Sequence, residues 1–210
     1  MTMQTPTPVE DRAHPDGSGR ARDAGATRLR LLQSARRRFA INGYGSTTVR
    51  DIANDAGVNV ALINRYFTSK EGLFEACLSR TVEEFDAPED DASTIDGVVD
   101  RMVRKITGAP SDESSLQMLL LVRSSGDDGA DRIRRETLRA FTERMATAAG
   151  WLPGDPGTEH LLLRAQVAIA TGLGIVMVRA ATGLEPLTSA AAEDLAGPLS
   201  EAVRVLLEAR

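Results

Sequence analysis

From Thr27 onward the chain alternates short apolar stripes with polar punctuation in a rhythm that belongs to helices. Leu31, Leu32, Ala35 and Phe39 fall at helical spacing, with Arg36, Arg37 and Arg38 on the remaining faces, and Asn42-Gly43 closes the run. Thr48 is placed to cap a second helix, Val49–Asp55: its hydroxyl can accept an orphan amide of the first turn, and Asp51, three residues on, answers it and suits the helix dipole. Ala56-Gly57-Val58-Asn59 then breaks the pattern. Gly57 tolerates the positive φ that ends a helix, and Asn59 is a good cap for a third helix over 60–67. Thr68-Ser69-Lys70-Glu71 forms the next boundary with Ser69 as cap, and Leu73, Phe74, Cys77 and Leu78 begin a fourth stripe running toward Phe85.

Downstream, 87–93 reads as a linker, and helices are predicted over 94–107, 113–125, 130–149, 158–181 and 190–209, separated by glycine- and proline-bearing breaks. Aromatic residues are only 4% of the chain and strand-like alternation is scarce, so the expected class is all-α. Residues 1–24 carry Pro, Gly, Asp and Thr without an apolar period, which predicts a disordered tail. Its Arg20 and Arg22, with Arg28 and Arg30, leave two alternatives: a solvated tail, or an arm reaching a phosphate or minor groove.

Charge changes this picture. The net charge is -5, which suits a nucleic-acid binder poorly until its distribution is considered. Residues 20–80 hold 11 Lys and Arg against 5 Asp and Glu, whereas 81–210 hold 13 against 22. A basic N-terminal module is thus joined to an acidic remainder. The single cysteine, Cys77, excludes an internal disulfide. With two histidines, His14 and His160, and no Ser-His-acid set, phosphate loop or metal-ligand spacing, neither an enzyme nor a cofactor is expected. No uninterrupted apolar run approaches the ~18 residues of a membrane span, so a cytoplasmic protein is expected.

The sharpest constellation is Ala53, Gly57 and Ile63. Two helices crossing steeply through a short turn need a small residue at closest approach, a residue tolerant of positive φ between them, and apolar anchors beneath. Ile52, Ala53, Val58, Ile63 and Phe67 supply that inner face, and Tyr44 is assigned to the core as well. The outward face, Val60, Ala61, Asn64 and Arg65, is then free for a major groove. Asn64 suits adenine N6 and N7, Arg65 suits guanine or a phosphate, and Val60 and Ala61 suit thymine methyls. Tyr66 and Lys70 read as positioning contacts.

The run Leu31-Leu32, Ala35, Phe39, Gly43-Tyr44, Thr47-Thr48, Ile52-Ala53, Ala56-Gly57-Val58, Ile63, Tyr66-Phe67, Lys70-Glu71 and Leu73-Phe74 resembles the TetR family of bacterial regulators, over residues 28–78. The resemblance implies homodimers of two-part helical subunits, usually repressors that release DNA when a small molecule enters the C-terminal domain. It implies DNA contacts at Thr48, Val49, Arg50, Asn59, Val60, Ala61, Asn64, Arg65, Tyr66 and Lys70. The family often has Tyr where Asn64 stands and His where Tyr66 stands, so base preference does not transfer.

The division expected is a tail (1–24), a three-helix helix-turn-helix domain (25–70), a connecting helix (71–86) acting as lever, and an effector-binding and dimerisation bundle (87–210). The resemblance implies a dimer through the last two helices, and Leu161 with the small residues Ala165, Ala168, Ala170, Gly172 and Gly174 suits it, with Leu195, Leu199, Val203 and Leu206 striping the last helix; a fully buried central helix of a monomer would look similar. Two-fold symmetry would set the recognition helices about 34 to 36 Å apart on a roughly palindromic operator. An effector pocket is expected among Met102, Ile106, Met118, Val122, Arg123, Phe141, Met145 and Met177, with Ser124 beside Arg123 to orient a polar group. The partners expected are double-stranded operator DNA, a second copy and a small-molecule effector, with no membrane. A helical binding or scaffold protein that has lost DNA readout is the alternative left open.

Overall fold

The computed structural model describes residues 17–83, 94–108, 113–122 and 126–208, and among these every regular element is an α-helix. In chain order they are α1 (Gly17–Asn42), α2 (Val49–Asp55), α3 (Ala61–Phe67), α4 (Lys70–Glu83), α5 (Ile95–Thr107), α6 (Glu113–Val122), α7 (Asp128–Ala148), α8 (His160–Ala181) and α9 (Ala192–Leu207).

α1 starts ten residues before the predicted boundary at Thr27, so 17–24 belong to a helix rather than to the expected disordered tail; 1–16 lie outside the described residues. The added segment holds Ala21, Ala24, Ala26, Arg20 and Arg22. Such residues propagate a helix at little cost once a packed segment has nucleated it, even without an apolar stripe of their own. The 87–93 linker, Phe85, Arg123 and Ser124 also lie outside the described residues.

α1 to α4 form the head. Leu31, Leu32, Ala35 and Phe39 of α1 meet Ile52 and Ala53 of α2, Ile63 and Phe67 of α3, and Leu73, Phe74, Cys77 and Leu78 of α4, all buried. Tyr44 joins them, its ring centroid 5.4 Å from Phe39 and 5.0 Å from Phe74. Seven-residue helices such as α2 and α3 are not stable alone. Removing one anchor such as Ile63, 0% exposed, would cost about 2–5 kcal/mol.

α5 to α9 form the body around α5, which packs on α6, α7, α8 and α9. Two arginines of α8 bind it to its neighbours. Arg179 donates to the carbonyls of Ile106, Thr107 and Gly108 at the end of α5 and to Ala190, and Arg164 donates to those of Val205 and Leu206 at the end of α9. Each places a cation where the helix dipole is negative and carbonyls lack partners.

α8 is also long and apolar enough, by length and composition, to cross a bilayer, with only 28% of that stretch buried. The sequence shows no uninterrupted run there because Arg164 and Arg179 fall within it; the structure docks both onto carbonyls within the subunit.

Candidate nucleic-acid interface

The interface is built from caps. Thr48 has extended backbone (φ -103, ψ 155) and accepts from the Asp51 amide at 3.2 Å, while the Asp51 carboxylate accepts from the Thr48 amide at 3.0 Å and its hydroxyl at 2.6 Å. These hydrogen bonds hold the Asp51 carboxyl below its ordinary range. At the other end of α2, Asp55 takes a bidentate pair from Arg38 of α1, 2.5 Å to Nε and 2.7 Å to Nη2. The same contact lowers the Asp55 pKa and raises that of Arg38. α1 and α2 are thereby joined by a bidentate ion pair, where the sequence places Arg38 only on a face of α1 away from the apolar stripe.

The turn follows its predicted chemistry. Gly57 sits at φ +64, the Val58 amide returns to the Ala53 carbonyl at 3.0 Å, and the Asn59 side chain accepts from the Ala61 amide at 2.8 Å. Ile63 and Phe67 therefore point into the head, and Ile52, Ala53, Ala56 and half-buried Val58 support them. The opposite face of α3 carries exposed Val60, Ala61, Asn64 and Arg65, with Asn59 exposed at its start and Tyr66 half-buried. At the start of α2, Thr48 and Arg50 are exposed and Val49 half-buried.

Lys70 lies elsewhere than the sequence suggested. Its ammonium sits over the Tyr44 ring, 4.1 Å from the centroid, half-buried rather than projecting from the start of α4. Burial lowers its pKa, the nearby Asp127 opposing that shift. Tyr44 is pushed up to about 12, chiefly by burial, then by the charges of Asp127 and Glu71. A cation over an aromatic face is attracted to it, and the sequence reading had no means of pairing residues 26 positions apart.

Three further residues shape the α3–α4 corner. Thr68 has φ +68 and ψ -44, and the Ser69 amide reaches the Phe67 carbonyl at 2.7 Å, closing a tight three-residue turn. A β-branched residue held there costs about 1–3 kcal/mol. Gly72 lies against that carbonyl: a Cβ on it would stand 2.1 Å from the Phe67 oxygen. Ser69 caps α4 as predicted, accepting from the Gly72 amide at 3.0 Å. Arg28 of α1 lies over the Phe67 ring at 5.1 Å, occupied by the head's own core edge.

In the body, a cavity of about 700 Å³ opens between α5, α6, α7 and α8. Of the residues expected at an effector pocket, Met102, Ile106, Met118, Phe141 and Met145 line this cavity, together with Arg101, Arg144 and Trp151, which were not among them. Val122 does not line it, and Met177 is 43% exposed on the outer side of α8; a methionine at helical spacing is assigned to a wall only when the helix's orientation is known. Arg123 lies outside the described residues.

Most of the residues expected at a dimer contact face the interior of the subunit. Leu161, Ala165, Ala168, Gly172, Leu199 and Val203 are buried within the subunit, and Leu195 and Leu206 are half-buried. Gly172 illustrates the cause: a Cβ there would stand 2.2 Å from Ile106 Cδ1 and 2.6 Å from Met102 Cε, so the small residue admits α5 rather than a second copy. The outer stripe of α8 is Leu163, Val167, Ala170, Gly174 and Met177, with Leu163 64% and Val167 43% exposed; Ala170 and Gly174 are among the small residues expected at the contact. Exposed Ala202 and Val205 continue it on α9.

Two short helices joined by a tight turn, with a buried inner face and an exposed outer face and mounted on a helical body, have the arrangement of a helix-turn-helix DNA-binding protein. Residues 31–77 match the model of bacterial regulatory proteins of the tetR family, and residues 96–207 match that of the tetracyclin repressor-like C-terminal domain. The chain belongs to the TetR family and is a DNA-binding transcriptional regulator of that type.

Two curated relatives from Bacillus subtilis (strain 168) share the head. The probable HTH-type transcriptional regulator YttP is 40% identical over 60 residues, 29% of each chain, and the uncharacterized HTH-type regulator YvkB is 43% identical over 54 residues, 26% of this chain and 29% of its own. The match thus spans under a third of either relative's length. Among solved structures, a transcriptional regulator from Rhodococcus sp. Rha1 superposes with a TM-score of 0.62 at 19% identity over 86% of this chain and 96% of its own. GusR of Salmonella enterica does so with 0.60 at 18% identity over 87% and 96%. These likenesses are of fold. The family is one of regulators rather than catalysts, and among the described residues no group of three His, Cys, Asp or Glu is placed to hold a metal.

Proposed function

We propose that the chain is a ligand-responsive repressor that binds a palindromic operator as a homodimer, with α3 as the recognition helix. The observation that carries this reading is the division of α3: Ile63 and Phe67 are buried, while Val60, Ala61, Asn64 and Arg65 are exposed on the opposite side. Asn64 and Arg65 read base edges, and Val60 and Ala61 meet thymine methyls. Thr48, Val49 and Arg50 approach the backbone from α2, Asn59 and Tyr66 flank the readout, and Lys70 contributes to phosphate contact only by leaving the Tyr44 ring.

The dimer forms through the exposed stripe of α8, continued on α9 around Val205. An apolar face of that length is what a second copy would cover, and its small residues at Ala170 and Gly174 allow close helix approach. The effector cavity communicates with the head through α7. Its C-terminal half lines the cavity, whereas at its first turn Gly129 lies so close to Glu71 of α4 that a Cβ would stand 2.8 Å from the carboxylate. A ligand acts only by favouring one spacing of the two heads over the other.

Binding to an operator-like duplex and to random DNA, measured across a salt series, tests this reading. A sequence reader loses affinity steeply with salt for both duplexes and prefers one by about 10³-fold or more. Equal affinity for both at every salt concentration would contradict it.

A further inference from the structure

The cavity between α5, α6, α7 and α8 is apolar over most of its wall, and its charged groups already have partners inside the chain. Met102, Ile106, Met118, Phe141, Met145 and Leu173 supply the apolar part. Arg101, Glu143, Arg144 and Thr147 share the lining. Arg101 and Arg144 each hold an interaction within the chain. Glu143 accepts from Arg139 at 2.7 Å, and the Thr147 hydroxyl donates to the Glu143 carbonyl, also at 2.7 Å. The charge on this wall is therefore met by the protein itself.

Trp151 differs from these. Its ring lines the cavity and also a groove between α7 and α8, so it stands as the partition between the two. Its indole N–H is buried without a hydrogen-bond partner among the described residues. An indole nitrogen can only donate, so what satisfies it is an acceptor, and a buried donor left without one is costly.

We infer that this cavity takes an uncharged, largely apolar aromatic molecule bearing one hydrogen-bond acceptor, an aryl ketone being the simplest case. The acceptor meets the Trp151 indole N–H, and the ring lies against Phe141 and the methionines. The inference deepens the ligand-responsive reading above and rests on it. A charged ligand would leave water for a wall whose own charges have partners, so its desolvation goes uncompensated. A pure hydrocarbon would leave the indole N–H without an acceptor, whereas a carbonyl supplies one. Methionine sulfur packs favourably on aromatic rings, and its flexible side chain adapts to a rigid one. The volume of about 700 Å³ falls within the roughly 300–1,000 Å³ of small-molecule sites. The nitrogen is covered at the wall, so the indole ring must tilt as the contact forms.

Tetralone, tetralin, aminotetralin and tetralin carboxylate share one ring system and differ in a single feature: a carbonyl, nothing, an ammonium or a carboxylate. Each is titrated by calorimetry into the full-length protein at neutral pH. Tetralone saturates, binding at least about tenfold more tightly than the amine or the carboxylate and severalfold more tightly than tetralin. In Trp151→Phe, which keeps a ring and removes the donor, tetralone falls to the affinity of tetralin. The charge comparison uses the native chain alone and stands whether or not that variant folds. No saturable heat with tetralone, a charged probe bound as tightly, or an unchanged ketone advantage in folded Trp151→Phe overturns the proposal. The titration contains no DNA, so the two readings fail separately. A protein that ignores tetralone yet selects a DNA sequence leaves the regulator reading intact; one that prefers tetralone and selects no DNA overturns that reading and leaves the cavity's ligand class standing.

Discussion

The head and the body of this chain are held in shape by different kinds of interaction. In the head, α2 and α3 are seven residues each; their ends are set by contacts that span a few positions, the Thr48–Asp51 box, the Gly57 turn, the Asn59 cap and the Ser69 cap, and their packing by the core shared with α1 and α4. In the body, α7 and α8 are 21 and 22 residues long, and their placement depends on long-range docking such as Arg179 onto the end of α5 and Gly172 under Ile106. The head is thereby a set of short helices with capped ends around one core. The body keeps an adaptable cavity and an exposed apolar stripe, which are the features that a ligand and a second copy would use.

The comparison breaks first at the α3–α4 corner. Gly72→Ala places a methyl group 2.1 Å from the Phe67 carbonyl, and a backbone oxygen cannot yield as a side chain can, so the head should lose on the order of 3 kcal/mol or more. A thermal melt checks this: the melting temperature falls by several degrees or more, and DNA affinity falls with it. Gly172→Ala, facing only the tips of Ile106 and Met102, should cost less.

On the body, Val167→Asp sets a charge in the middle of the exposed α8 stripe. Val167 is 43% exposed, so the subunit still folds, while sedimentation shifts from dimer to monomer and operator affinity drops by about tenfold or more as bivalent binding is lost. An unchanged sedimentation coefficient would place the dimer contact elsewhere.

Arg65→Ala sharpens the head's role without disturbing its fold. The side chain is exposed, so the melt should not move, and affinity for the selected site should fall by about 1–3 kcal/mol with relaxed preference at one base pair. A uniform loss across all sequences would make Arg65 a phosphate contact.

The Arg38–Asp55 pair gives the smallest effect and one with a defined pH window. Asp55 has a folded pKa below its ordinary 3.8 because Arg38 hydrogen-bonds the carboxylate. Its contribution to stability is therefore fully present above pH 3.8 and is lost as pH falls from there through the lower folded value. The melting-temperature gap between the native chain and Asp55→Asn should be seen at neutral pH and close in that acid range. A gap that persists below it would show that the pair does not act through ionisation.

How much was legible in the sequence follows the same division. The caps of α2, α3 and α4 and the core residues Ile52, Ala53, Ile63, Tyr44 and Phe67 were readable because each depends on a residue type and a spacing of a few positions. The Lys70–Tyr44 contact, the burial of Arg36 and the need for Gly72 were not, because they arise where separate helices meet. The exposed face of α8 was only partly legible, at Ala170 and Gly174, for a related reason. A helix apolar on most faces offers no contrast by which to tell the side that packs on α5 from the side left exposed, and small residues mark close approach without saying to what. Trp151 escaped the effector pocket because it follows α7 in a loop, outside any periodic stripe.

The most direct test of the account is selection of bound duplexes from a random pool by the full-length protein. The account predicts one enriched sequence with two inverted half-sites whose centres lie about 34 to 36 Å apart, and weaker enrichment when Asn64 and Arg65 are both replaced by Ala. A pool that remains random, or a single unrepeated half-site, would contradict it.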